Sequence, residues 1–173
     1  MLIRSSFRKL YIALLIFYLH NNIFYHYIYC NNEYYFDFFL APVGFTAVTT
    51  QSKPLGAWQV VPFDKILYST GDIFNLATNT FTCPVKGTYV VVIDFFTYAE
   101  QFFDCYIKKD DAVLIRSYTS AKGMYDHNGG SATIVTECNK GSTIWLIAGG
   151  HTGNYIYENT ATTHYNRFSV FRI

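Results

Sequence analysis

The run Thr88-Tyr89-Val90-Val91-Val92-Ile93-Asp94-Phe95-Phe96-Thr97-Tyr98 constrains the fold of this chain more than any other. It is built from β-branched and aromatic residues, which favour strands. Side chains alternate across a strand. Tyr89, Val91, Ile93 and Phe95 therefore share one face, and Val90, Val92, Phe96 and Tyr98 share the other, with Asp94 among them. An antiparallel strand with one wet face alternates apolar with polar residues, whereas this one is apolar on both sides. The stretch around Trp145 repeats the pattern, with Ile144, Leu146 and Ala148 on one face and Trp145 and Ile147 on the other. Either such strands lie at the centre of one large core, or their second face meets another subunit. The roughly 130 residues after position 42 are few for a core that swallows several two-sided strands, so a subunit interface is the favoured reading.

The rest of residues 43–173 has the same texture. Short runs rich in Val, Ile, Thr, Tyr and Phe are punctuated by Gly56, Gly71, Gly87, Gly123, Gly129, Gly130, Gly141, Gly149, Gly150 and Gly153. Many short strands between turn signals indicate an all-β sandwich or barrel. No long segment carries a helical period with caps, and no Gly-X-Y repeat marks a collagen stalk. Charged residues make up 14% of the chain, against about 25% in a typical soluble domain. A surface so poor in charge covers area against a partner subunit or a membrane. The formal net charge of +1 leaves no basic footprint for nucleic acid.

Residues 1–42 stand apart. Arg4, Arg8 and Lys9 precede an apolar run over residues 10–19. A basic start before about ten apolar residues fits a secretory signal. The run is short for a membrane span, and its extension carries His20, Asn21, Asn22 and His26, which are costly in hydrocarbon. No small-x-small cleavage site follows, so an uncleaved signal anchor stays open beside the signal peptide. Residues 21–40 are nearly all Tyr, Phe, Ile, Asn and His without a period, which also leaves room for a misassigned gene start. The N-terminal hydrophobic segment is expected to lie outside the fold.

Against this background a set of motifs is recognisable in order along residues 43–173. They are Val43-Gly44-Phe45-Thr46-Ala47, Pro62-Phe63-Asp64-Lys65-Ile66-Leu67, Gly71-Asp72-Ile73-Phe74-Asn75 and Phe81-Thr82-Cys83-Pro84-Val85-Lys86-Gly87-Thr88-Tyr89. Ser131-Ala132 with Gly141-Ser142-Thr143-Ile144-Trp145-Leu146 and the terminal Phe168-Ser169-Val170-Phe171 complete them. Together they resemble the C1q-type globular domain of the C1q/tumour-necrosis-factor-like superfamily. The chain departs from the family pattern at Val170, where the family has Gly, at Ser142, where it has Asp, and at the turn Lys109-Asp110-Asp111.

The resemblance implies a ten-stranded-type jelly-roll sandwich of two antiparallel sheets. It makes Phe45, Phe63, Phe74, Phe81, Tyr89, Phe168 and Phe171 large buried side chains, Gly87 and Gly141 turn positions, and Trp145 a strand residue of the second two-sided run. Such a signature reports fold, not ligand. Of the four cysteines, Cys30, Cys83, Cys105 and Cys138, none forms a closely spaced pair of the kind zinc needs. The resemblance implies a disulfide between Cys83 and Cys105, with Cys138 a buried thiol at a core position. The alternative is that all three are reduced core residues.

Nothing in the sequence points to catalysis. There is no nucleophile elbow, phosphate loop, dinucleotide fingerprint or His-Glu-x-x-His motif, and no cofactor is expected. Asp110, Asp111 and Asp126 are carboxylates of the kind that calcium takes in loops, although acidic turns are ordinarily just solvated. No Asn-x-Ser/Thr acceptor for N-glycosylation occurs. The resemblance implies a secreted, extracellular homotrimer that binds a glycan, microbial-surface or protein ligand through loops 120–130 and 149–163, as in innate-immune recognition. Tyr125, Asp126, His127, Asn128, His151, Asn154, Tyr155 and Tyr157 are the candidate contacts, since aromatic and small polar residues make adaptable surfaces. The alternative is a membrane-anchored, tumour-necrosis-factor-like ligand or a structural extracellular trimer, with a membrane involved only if the N-terminal segment is retained as an anchor.

Overall fold

The computed structural model describes residues 42–158 and 164–173, together with the backbone of three strands further upstream. The chain divides into two compact units, Met1–Ala41 and Pro42–Ile173. In the first, β1 (Tyr18–Leu19), β2 (Ile23–Cys30) and β3 (Glu33–Leu40) form an antiparallel sheet in that order. The signal or anchor run expected at residues 10–19 lies outside the described residues except for the backbone of its last two.

The second unit is all-β. Its strands are β4 (Gly44–Val48), β5 (Lys53–Leu55), β6 (Lys65–Ser69), β7 (Phe74–Asn75), β8 (Thr80–Thr82), β9 (Gly87–Thr97), β10 (Phe102–Lys109), β11 (Ala112–Ser120), β12 (Asn128–Cys138), β13 (Thr143–Ala148), β14 (Asn154–Ile156) and β15 (Arg167–Arg172). One sheet has the order β12-β9-β15-β4-β6. The other runs β5-β14-β10-β13-β8-β7, with β11 also on β10. Pairing is antiparallel except for one parallel bridge from Phe102 to Asn154. This is the expected jelly roll of two sheets, with twelve strands in place of ten because short pieces such as β5, β7, β8 and β14 hydrogen-bond at the sheet margins.

The two-sided strand is an interior strand of the first sheet. β9 lies between β12 and β15. Its Tyr89, Val91, Ile93 and Phe95 are buried between the sheets, while Val90, Val92, Asp94 and Phe96 on the outward face are only half-buried. The second apolar row is therefore uncovered within this unit, and a single core swallowing both faces is not what forms. β13 behaves likewise, with Ile144, Leu146 and Ala148 inside and Trp145 and Ile147 half-buried outside.

The core is an aromatic stack. Phe45 lies face to face with Phe74 at 4.4 Å and Phe81 at 5.3 Å, and edge-on to Phe168 at 5.0 Å. Phe63 leans on Phe168 at 5.6 Å. Tyr89 is buried, and its hydroxyl donates to the Val85 carbonyl at 2.7 Å. Such rings contribute more than any other side chains to apolar burial, with offset and edge geometries preferred. Gly141 holds φ at 87° in the β12–β13 turn, a left-handed conformation that favours glycine. Gly87 does not. There the constraint is space, since a Cβ would run into the Arg172 side chain.

Two expectations are corrected. Phe171 is 44% exposed and not part of the core. β15 alternates, so Phe168 and Val170 point inward and Phe171 emerges outward, beside Val90 in the pairing register. The disulfide joins Cys83 to Cys138, not to Cys105. The full pairing of β12 on β9 sets Cys138 opposite Gly87, beside the β8–β9 connection that carries Cys83. Hydrogen bonds between Cys83 and the β12–β13 turn hold the two segments together, with Cys83 N–H donating to Ser142 O and Gly141 N–H to Cys83 O, both at 2.8 Å. Cys105 is buried mid-strand in β10 between Ala148 and Ser117. Burial, then the neighbouring Asp104 charge, pushes its thiol pKa far up.

Candidate functional site

The two loops expected to carry recognition meet at one end of the first sheet. After β11 the chain turns over residues 121–127. Ala121 N–H donates to Gln101 O at 2.8 Å, Glu100 N–H to Ala121 O at 3.0 Å, and the Asn128 side-chain amide to Ser120 O at 2.7 Å. After β14 the chain passes over the end of β9, where Tyr157 N–H donates to Phe96 O at 2.9 Å. Between these anchors the rings converge. The His127 imidazole lies 4.4 Å from Tyr157, 5.0 Å from Tyr98 and 5.6 Å from Phe96. Tyr98 and Tyr157 lie 5.1 Å apart, and Tyr165 stacks on Phe96 at 4.7 Å.

Asn166 fixes this arrangement. It is fully buried. Its side-chain oxygen accepts from Phe96 N–H at 2.8 Å and its amide donates to Tyr157 O at 2.7 Å. One side chain thus satisfies backbone groups of both segments, which would otherwise be unpaired in the interior. Glu158 adds to the lock. Its N–H donates to Ser52 Oγ at 2.8 Å, and its carboxylate accepts from Tyr165 N–H at 3.0 Å.

The electrostatics are those of a small aromatic nest with one carboxylate at its rim. Asp126 Oδ1 sits 2.5 Å from His127 Nδ1 and accepts the His127 N–H at 2.8 Å. These two hydrogen bonds hold the Asp126 carboxyl below its usual range. Burial of the Tyr157 phenol, reinforced by the neighbouring Tyr98 and Tyr165 hydroxyls, raises its pKa. The rings offer flat, partly wet faces to a ligand, and no nucleophile is paired with a base.

The candidate residues separate cleanly. Asp126, His127 and Tyr157 come together in the nest. Tyr125 projects fully into solvent at its rim. Asn128 closes the first loop, and Tyr155 is half-buried, with its carbonyl accepting from Thr97 Oγ1 at 3.0 Å. His151 is exposed on the other flank, beside the second sheet. Asn154 is not available to a ligand. It is fully buried, accepts from Asp104 N–H at 2.8 Å and donates to His151 O at 2.8 Å. Sequence reasoning had placed Phe96 and Tyr98 only on a strand face and missed Tyr165 and Asn166 altogether. The signal for the first two was their position at the loop end of β9; for Asn166 the sequence holds none.

The acidic turn residues do not gather. Asp110 and Asp126 lie at opposite ends of the nine-residue β11, roughly 30 Å apart at strand rise. Asp110 accepts from Thr143 N–H at 2.8 Å, which lowers its pKa. Among the described residues no three His, Cys, Asp or Glu side chains are grouped to hold a metal ion.

Comparison with known proteins accords with this geometry. The globular domain of a zebrafish complement 1qA protein has 20% identity to this chain, covering 75% of it and 93% of the zebrafish domain, at a TM-score of 0.54. Murine APRIL is 10% identical, with 76% of this chain and 99% of its own covered, at 0.57. The Eiger TNF of S. frugiperda is 7% identical, with 76% and 91% covered, at 0.60. At such identities the likeness is one of fold. The family model described as the C1q domain matches residues 44–171, close to three quarters of the chain, and on that match the chain belongs to the C1q domain family.

Proposed function

We propose that this protein is a non-enzymatic extracellular recognition module that assembles as a trimer and binds a glycan, microbial-surface or protein ligand at the aromatic nest. Support comes chiefly from the convergence of the two loops on His127 and Tyr157, a rigidly anchored set of ring faces with no catalytic pairing. Aromatic anchors on a rigid scaffold bind at low entropic cost. For assembly, support comes from the outward face of the first sheet, where Val90, Val92, Val135, Tyr68 and Phe171 are left partly or largely exposed. An apolar sheet face of that kind is the usual substance of a subunit interface.

One experiment tests both parts. The Pro42–Ile173 unit, analysed by multi-angle light scattering, should elute at three times its own mass, and Phe171→Glu should shift it to one. The same preparations, probed against glycan arrays and whole bacterial surfaces, should bind through His127 and Tyr157, with His127→Ala/Tyr157→Ala losing at least tenfold in affinity. A stable monomer would sink the assembly. Binding unchanged in the double variant would sink the site.

A further inference from the structure

The second sheet carries a surface that neither the nest nor the assembly face uses. All three cation–π contacts among the described residues lie on it. Lys108 Nζ sits 5.3 Å from the Trp145 ring, the Arg116 guanidinium 5.5 Å from Tyr106, and Lys122 Nζ 4.8 Å from Phe102. The register explains the ladder, since Lys108 pairs with Trp145 and Arg116 with Tyr106 across β10. Such contacts occur about once per 70–80 residues, so three on one sheet face concentrate charge and ring area together.

The same face carries a further exposed aromatic. Trp58 stacks on Tyr106 at 5.8 Å and remains 60% exposed. Its φ is 60°, a left-handed conformation that costs a bulky residue energy. The conformation is held by Trp58 N–H donating to Gly149 O at 3.3 Å, and Gly150 leaves room for the indole, since a Cβ there would fall 2.5 Å from it.

Beside this ladder lies an open cleft of about 500 Å³, lined by Phe102, Arg116, Tyr118, Lys122, His151 and Thr152. Phe102 and Tyr118 stack at 6.0 Å and form its aromatic wall. No carboxylate lines it. Asp104, on the same face of β10, is fully buried and is held by Arg116, with Nε and Nη2 each 2.7 Å from a carboxylate oxygen. Glu100, on the neighbouring loop, is turned to the Gly123 N–H at 3.1 Å. The guanidinium is thus fixed in direction, with Nη1 unused by Asp104, and Lys122 is counterbalanced only by a ring. A preorganised Arg with free donors, an ammonium, two flat ring faces, an imidazole and a hydroxyl suit a ligand that is anionic at one edge and ring-shaped in body.

We propose that this cleft binds an acidic saccharide, with a carboxylate or sulfate against Arg116 and Lys122 and sugar ring faces against Phe102 and Tyr118. The proposal rests on the reading of the domain as a binding module and adds a second, chemically distinct subsite on the other flank of the same loops.

The test titrates the full chain by calorimetry with a sulfated heparin tetrasaccharide, an oligogalacturonate, neutral maltotetraose and a poly-glutamate peptide. Lys122→Gln and Tyr118→Ala change exposed side chains, and circular dichroism checks that they fold. Binding of at least one acidic saccharide, weakened tenfold or more by either variant and by raised salt, is the expected result. The sulfate and carboxylate arms separate the two sources of charge. Equal binding of poly-glutamate, equal binding of maltotetraose, indifference to both variants or silence toward both acidic sugars would each overturn the proposal. Silence here with target binding intact in the His127 and Tyr157 assay refutes this cleft alone, whereas failure of both assays refutes the recognition module itself.

Discussion

Removing the disulfide by Cys83→Ala/Cys138→Ala should cost this domain much of its thermal margin. The two cysteines are 55 residues apart in sequence and their Cα atoms are 6.4 Å apart, a separation that a disulfide spans without moving the backbone. Cross-linking a loop of that length removes denatured-state entropy worth about 4 kcal/mol at 25 °C. A unit of some 130 residues unfolds with an entropy of about 0.27 kcal/mol/K, so the melting temperature should fall by about 15 °C. Both side chains are buried, so the cavity left by each sulfur pushes in the same direction.

The assay is a set of circular dichroism melts of the parent, Cys83→Ala/Cys138→Ala and Cys105→Ala, each with and without reductant. The parent should lose most of the 15 °C on reduction. The double variant should start low and ignore reductant, while Cys105→Ala should keep the full response. The reasoning fails if Cys105→Ala abolishes the reductant response, or if peptide mapping of the unreduced protein finds Cys83 linked to Cys105.

The remaining predictions concern the core, the nest and one turn. Phe168→Ala should destabilise by about 3–5 kcal/mol in urea titrations, since that ring touches Phe45, Phe63 and Phe74, whereas Phe171→Ala should leave the denaturation midpoint of the isolated subunit nearly unchanged. Asn166→Ala should cost about 2–4 kcal/mol, because it strands Phe96 N–H and Tyr157 O in the interior, and hydrogen exchange should quicken at the Phe96 amide. Asp110 has its pKa lowered by the Thr143 N–H, so its stabilising effect is present above the ordinary Asp pKa and is lost as pH falls through the depressed folded value. Asp110→Asn should flatten that acid limb in pH-dependent melts by lowering the neutral plateau, with stability below the folded pKa little changed. Iodoacetamide at pH 8 should leave native Cys105 unmodified, since burial raises its thiol pKa, and mass spectrometry should find the adduct only after unfolding.

The local alternation of side chains was legible and long-range register was not. Tyr89, Val91, Ile93 and Phe95 are buried as period two requires, and the half-exposed row opposite them is the one that looked superfluous in a domain of this size. Phe171 was misplaced because motif likeness overrode parity. It stands three positions from Phe168, so the two cannot share a face of one strand. The disulfide partner depended on how eleven residues of β12 pair with eleven of β9, which brings Cys138 to Gly87, and no local pattern encodes that alignment. Asn154 and Asn166 mark the same boundary. In sequence they are unremarkable polar residues near a loop, and only the meeting of strand and loop segments turns them into buried locks.

The outward face of the first sheet is graded along its length, and under the proposed function that grading would separate assembly from recognition. At one end Val90 lies between Val135 and Phe171 in the register. The next row holds Val92 between Thr133 and Ser169, and the Ser169 hydroxyl meets that of Thr46 at 2.8 Å. Then comes Asp94, paired with Arg167 beside Ser131, and beyond it Phe96 enters the nest. The Asp94 and Arg167 side chains remain 28% and 54% exposed. A second core layer from the same chain would have to strip water from that pair, at a cost its attraction does not reliably repay. A face between copies can stay wet in the middle and dry at one end, which is the arrangement the proposed assembly would have. From Val90 to Phe96 the strand rises about 20 Å. In the proposed trimer the apolar row that would hold copies together therefore lies far enough from the loops that residues such as Tyr125 and Asp126 could vary with the ligand while Phe171 and Val135 kept the interface.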